Sequence, residues 1–185
     1  MTTRIRFRQD TAARWASVAP VLSMGELGVD TDKKAIKMGD GSTAWASLKW
    51  AILPPTSYTP TVAQGGTTDI AKTVTYSKYS VAGNLATFQA KLALTGSGTT
   101  NNAITVSLPL TAAASQVGCV VGSGYYNDGG TQYQAVAYLS SATTVALLST
   151  HGTASTSTDD PIGVNPNIAV ANTDVITLSV SYEVA

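Results

Sequence analysis

At 185 residues the chain can bury one ordinary core or two small ones without a disulfide or metal staple. Only 12% of residues are charged against 44% hydrophobic, and Thr, Ser, Ala, Gly and Val dominate, a mixture suited to β-structure with small neutral faces. The formal net charge of +0, the lack of any run near the roughly 18 apolar residues of a membrane span, and a charged start with no following export-type apolar segment argue against nucleic-acid and membrane partners and for assembly in a cytoplasm.

The neutral total hides an uneven distribution. Up to Trp50 there are eight lysines and arginines against five acids, and beyond it three against six. Such a break implies two modules with different neighbours, a charged one that meets a partner and a neutral one that meets solvent.

In chain order, Arg4-Ile5-Arg6-Phe7-Arg8 alternates charged and apolar residues and predicts a half-exposed strand with Ile5 and Phe7 on one face. Asp10 or Thr11 caps a short helix over Ala12–Ala16, which ends before Pro20. Gly25–Asp30, a turn at Thr31–Lys34 and Ala35–Met38 then form a β-hairpin. Gly39-Asp40-Gly41 breaks the second strand, with the glycines supplying positive φ and the Asp40 side chain capping the turn. Trp45, Leu48 and Trp50 fold back over the hairpin, and with Trp15 they give the small module an aromatic core.

Leu53-Pro54-Pro55-Thr56-Ser57 is expected to be an extended, stiff linker, because proline cannot donate to a sheet. After it come seven strand signals separated by Gly, Asn, Ser and Asp: 72–80, 85–94, 103–108, 116–121, 132–139, 144–148 and 174–184. Val81–Asn84 joins the first two as a tight turn. In the last, Ile176, Leu178, Val180 and Tyr182 fall on one side, as in a strand inserted between others. The expected fold is therefore mainly β: a hairpin module with one short helix over residues 1–52, a linker over 53–60, and an antiparallel, jelly-roll-like β-sandwich over 61–185.

Catalytic chemistry has little to work with. His151 is the only histidine, in a Ser/Thr/Gly loop with no nucleophile elbow, and Asp128, Asp159, Asp160, Asp174 and Glu183 lie near loops or the terminus rather than in a recognisable groove. Cys119, the sole cysteine, sits in the apolar run Val117–Val121 and is expected to be buried. Asp30-Thr31-Asp32 starts like a calcium loop, but Lys34 takes the third ligand position and Ala35 the required glycine. No catalytic residue, metal or cofactor is expected. Tyr125, Tyr126, Asn127, Asp128 and Tyr133 are either a tyrosine-lined loop and strand face or stacking platforms for a glycan or protein surface. Arg4, Arg6 and Arg8, with Arg14 nearby, either keep a sheet edge solvated or dock on an acidic partner.

The ordered set Trp15, Pro20-Val21-Leu22, Gly25-Glu26-Leu27-Gly28-Val29-Asp30-Thr31-Asp32, Ile36-Lys37-Met38-Gly39-Asp40-Gly41, Trp45 and Leu48 resembles the N-terminal module of the major tropism determinant family, found on phage tail fibres, receptor-binding proteins and head fibres. The resemblance implies an intertwined homotrimer whose first 50 or so residues attach it to a virion, on the major capsid protein or a tail baseplate protein. Tyr58-Thr59-Pro60-Thr61, Tyr76, Tyr79, Gly83-Asn84 and Phe88 resemble, more loosely, the C-terminal sandwiches of phage fibres and decorations. With no stalk between modules, the short length favours a capsid decoration or head fibre on the particle surface. The alternative is a tail fibre or receptor-binding protein that recognises a host-surface glycan.

Overall fold

The structure is a computed structural model describing residues 6–149 and 160–185. Arg4, Ile5, His151 and Asp159 lie outside the described residues. The elements are β1 (Arg8–Asp10), α1 (Ala12–Val18), β2 (Leu27–Asp30), β3 (Ala35–Met38), β4 (Trp50–Ser57), β5 (Val62–Ala63), β6 (Lys72–Ala82), β7 (Leu85–Leu94), β8 (Thr105–Ser107), β9 (Val120–Asp128), β10 (Thr131–Ser141), β11 (Thr144–Ser149) and β12 (Val175–Glu183).

The strands follow one hydrogen-bonded order, β1-β2-β3-β4-β6-β7-β12-β9-β10-β11-β8-β5. The sheet is mixed, because β1 runs parallel to β2 whereas pairs such as β2–β3 and β9–β10 are antiparallel, and it is not closed. The mainly β character with one short helix is as expected; a sandwich or jelly roll is not shown. Alternating hydrophobicity tells which face of each strand is buried, but it is silent on whether neighbouring strands share one ladder or two.

The chain divides into two compact units, Met1–Thr56 with Ser80–Leu85, and Ser57–Tyr79 with Ala86–Ala185. In the first, Thr11 caps α1 by accepting from the Arg14 N–H at 3.2 Å, and Ala19 in the left-handed region ends it ahead of Pro20. The first strand starts at Arg8 rather than Arg4, and Phe7 is exposed. The inner face of the β2–β3 hairpin (Gly28, Asp30, Ala35, Lys37) is buried, and the unit's core is Trp15, Leu22, Trp45 and Leu48 with Trp50 against it.

Pro54 and Pro55 lie in the extended strand β4, which ends at Ser57, where the second unit begins. The register of β4 with β3 reaches only Ile52, so the prolines lie beyond that pairing, and their fixed φ suits an extended strand. The turn of the β6–β7 hairpin belongs to the same unit: Gly83, at φ +61°, donates its N–H to Ala51 O at 2.8 Å.

In the second unit β12 lies between β7 and β9 with Ile176, Leu178, Val180 and Tyr182 all buried, as its alternation predicts. Phe88, Leu92 and Leu94 of β7, Ala137 and Leu139 of β10 and Leu147 of β11 line the same core. Tyr58 packs edge-on against Tyr79 and Phe88 and donates to Leu108 O at 3.0 Å. Gln64, fully buried, holds three loops together: its amide donates to Asn102 O (3.0 Å) and Ile168 O (2.7 Å) and accepts from Val170 N–H (2.8 Å).

Three local expectations change. The strand placed at 116–121 is a 3-10 turn over Ala114–Gln116 followed by β9 from Val120, because Gly118 at φ +88° breaks the extended run. Cys119, in that turn region, is exposed rather than buried. The short strand β5 was not anticipated, since two residues carry no periodicity.

Candidate functional site

The motif residues of the first unit are occupied in building it. Glu26 accepts from the Ser23 N–H at 2.8 Å, which holds its carboxyl below the ordinary value despite partial desolvation, and it pairs with Arg8 at 3.3 Å. Asp30, buried, accepts from the N–H groups of Asp32 (3.1 Å) and Lys33 (3.0 Å) and so caps the hairpin turn. Asp32 accepts from Ala12 N–H at 2.9 Å, tying the turn to the start of α1.

Gly25 (φ +78°) and Gly41 (φ +79°) supply left-handed backbone, but Gly39 does not. A Cβ at Gly39 would stand 2.2 Å from Ser23 O, so it is a glycine of close approach rather than of positive φ. Gly28 is another: a Cβ there would meet the Trp45 ring at 2.4 Å. Asp40 accepts from Ser42 N–H (2.9 Å), Thr43 N–H (2.7 Å) and the Thr43 hydroxyl, and these donors, the hydroxyl foremost, hold its carboxyl far below the usual carboxylate range.

Lys37 turns inward from β3. Its Nζ donates to Trp45 O at 2.7 Å and lies 5.2 Å and 4.5 Å from the ring centres of Trp45 and Trp50. Burial, then the Lys33 charge, lowers its pKa to about 8 against the opposing pull of Asp30.

With those groups inside, the opposite face of β2, β3 and the start of β4 is apolar, with Gln9 of β1 at its edge. Register places Gln9 beside Val29, Val29 beside Ile36, Leu27 beside Met38 and Ile36 beside Ile52. Met38 and Ile52 are 55% and 53% exposed, and Phe7, just ahead of β1, is 55% exposed. No charged side chain interrupts the strip formed by Leu27, Val29, Ile36, Met38 and Ile52. Its signal was present in the sequence as the alternate positions of the hairpin.

The arginines singled out for attachment are spread apart in role. Arg8 lies 5.4 Å from the Trp15 ring centre as well as pairing with Glu26, and Arg14 pairs with Asp10 at 3.6 Å. Arg6 is exposed and outside β1, so it does not alternate with Arg8 on a strand.

The tyrosine cluster of the second unit divides between two faces. Tyr126 is fully buried and donates to Asp174 Oδ2 at 2.5 Å, which removes it from any surface role; burial and that hydrogen bond raise its pKa far above the ordinary value. Tyr133 stands beside Tyr126 on the core-facing side, whereas Tyr125 stands beside Gln134 and Thr177 on the outer side. Asn127 accepts from the Gly130 N–H at 2.8 Å and shapes the β9–β10 turn. Asp128 has its pKa raised by partial burial and by Asp174.

The outer side carries a groove of about 530 Å³, lined by Tyr76, Gln89, Lys91, Ser123, Tyr125, Gln134, Thr177 and Ser179 among others. Among the described residues Lys91 is its one charged lining residue, and the Thr177 hydroxyl oxygen is buried without a hydrogen-bond partner. Except for Tyr125 these residues were missed, because the polar members of alternating strands look like ordinary solvated positions.

Residues 5–43 match the model of the family described as the major tropism determinant N-terminal domain. This is an N-terminal module of major tropism determinant-like phage proteins, a structural and receptor-binding module. No curated protein and no solved structure matches the chain.

Proposed function

We propose that, with the phage module at residues 5–43 as its virion-facing part, the protein is a non-enzymatic structural protein of a tailed-phage particle: a short homotrimeric capsid decoration or head fibre. The observation that carries the trimer is the apolar strip Leu27, Val29, Ile36, Met38 and Ile52, half-buried at Leu27, Val29 and Ile36 and more than half exposed at Met38 and Ile52. Water-exposed apolar strips of this kind are stabilised by burial, at about 25 cal/mol per Å² removed from water, and a second and third copy bring identical strips. Many copies per particle add avidity to weak contacts.

In this reading Arg4, Arg6, Arg8 and Arg14, in the attachment module, meet acidic groups of the major capsid protein or of a tail baseplate protein. Immunogold labelling of purified particles tests the assignment, with label on the capsid surface expected. Absence of the protein from purified virions would overturn it.

The outer groove favours a second reading, a tail fibre or receptor-binding protein that recognises a host-surface glycan. Adsorption of the purified protein to host cells separates the two, because a pure decoration shows no specific adsorption.

A further inference from the structure

We infer that the groove on the outer face of β7, β12, β9 and β10 is a saccharide subsite, with a pyranose ring stacked on Tyr125 and hydrogen-bonded by Gln89, Gln134 and the Thr177 hydroxyl. The inference rests on the receptor-binding reading and names where and how that binding occurs.

The chemistry of the lining selects the ligand. Sugars present hydroxyls that both donate and accept, and the glutamine amides and Ser/Thr hydroxyls here do the same. Their axial C–H faces are flat and weakly apolar, matching a tyrosine ring with an apolar body and a polar tip. The volume of about 530 Å³ falls within the roughly 300–1,000 Å³ of small-ligand sites.

Charge narrows the class further. Among the described residues Lys91 is the sole cation of the lining and no acid joins it, so neutral and carboxylated sugars are accommodated and cationic ones disfavoured. One cation is too few to track the phosphates of a nucleic acid.

Thr177 gives the site its polar floor. It stands opposite Tyr125 in the β9–β12 register, and its buried oxygen lacks the hydrogen bond that such a group ordinarily makes. Behind it the backbone is close-packed: Cβ atoms at Gly122 and Gly124 would lie 2.0 Å and 2.3 Å from Ser179 O and Thr177 O. The platform is therefore built on regular strands, which hold a binding geometry better than loops do. Tyr76, 44% exposed on β6, supplies a second aromatic wall.

The test uses the full chain on an array of immobilised neutral and acidic pyranose oligosaccharides, together with adsorption to host cells before and after periodate oxidation of their surface glycans. Binding to a subset of the array is expected, with Tyr125→Ala weakening it roughly ten-fold, the loss of one aromatic contact. Thr177→Val, which keeps the shape and removes the hydroxyl, and Gln134→Ala are expected to weaken it several-fold while circular dichroism and oligomeric mass stay unchanged. Periodate-sensitive adsorption that Tyr125→Ala and Thr177→Val leave intact would overturn the groove but not the receptor-binding reading. Adsorption insensitive to periodate, with no array binding, would overturn the saccharide and leave a protein receptor. No adsorption and no array binding would overturn both and leave the decoration.

Discussion

Trp15 and Trp45 stack face to face, with ring centroids 4.0 Å apart and planes 13° from parallel. One comes from α1 and the other from the segment after the hairpin, so the stack joins the module's two ends over Gly28. A methyl group at Gly28 would stand 2.4 Å from the Trp45 ring and 2.9 Å from Leu22. Gly28→Ala is therefore expected to destabilise the first unit by about 1–3 kcal/mol through overpacking, and Trp45→Ala by about 3–5 kcal/mol. All three tryptophans lie in this unit, so their fluorescence during denaturant unfolding reports on it selectively. An unchanged midpoint for Gly28→Ala would contradict the packing described.

Lys37 predicts a pH dependence of opposite sense to the usual one. Its folded pKa of about 8 lies below the ordinary 10.5, so between these values the unfolded chain binds more protons than the folded one. The cost of burying the charge is full below pH 8 and is relieved as the pH rises towards 10.5. Lys37→Met is expected to flatten the tryptophan-reported stability slope over that window relative to wild type. Parallel slopes for the two proteins would refute it.

Asp40 acts at the other end of the scale. Its carboxyl is held far below 3.8 by donors from Ser42 and Thr43, so its contribution is present above the unfolded value and is lost as the pH falls beneath it. Asp40→Asn should weaken the first unit at pH 7 and reduce its sensitivity to acid below pH 4, as read by tryptophan fluorescence across an acid titration.

The Tyr126–Asp174 pair tests the second unit. Asp174 also accepts from the N–H groups of Gly129 (3.1 Å) and Ala171 (2.8 Å), so one carboxylate joins two turns to β9. Tyr126→Phe removes a buried donor and is expected to cost about 1–3 kcal/mol in unfolding followed by far-ultraviolet circular dichroism. The tryptophan transition of the first unit serves as the internal comparison.

The apolar strip makes a prediction about assembly. Met38→Lys with Ile52→Glu places charge where the proposed trimer buries hydrocarbon, and both side chains are more than half exposed, so the change is expected to spare the monomer's fold. Mass photometry is expected to show a shift from trimer towards monomer with unchanged circular dichroism. A wild-type monomer, or a double variant that stays trimeric, would remove the strip from the interface.

Much of the first unit was legible because its constraints are local. A helix cap at Asp10 or Thr11, which the structure places on Thr11, the Thr31–Lys34 turn, the strand Ala35–Met38 and the Asp40 cap each depend on neighbours a few residues away. Gly39 was misassigned because a glycine of close approach and a glycine of positive φ look alike until the backbone it meets, Ser23 O, is in place. Tyr126 was grouped with Tyr125 for a similar reason: adjacent strand residues point to opposite faces, and which face is the core depends on β10 and β12.

By itself the sequence determined the β character, the tryptophan core of the small module, its phage-family motif and the buried stripe of the last strand. These follow from side-chain periodicity and turn chemistry, which act over short separations. Only the tertiary structure decided that the strands form one open mixed sheet, that Pro54 and Pro55 extend a strand, that Cys119 is exposed, and that Tyr125 shares an outer groove with Gln89, Gln134 and Thr177. Strand partners are chosen by residues tens of positions apart, as Val62 and Val106 are, and no local pattern encodes that choice.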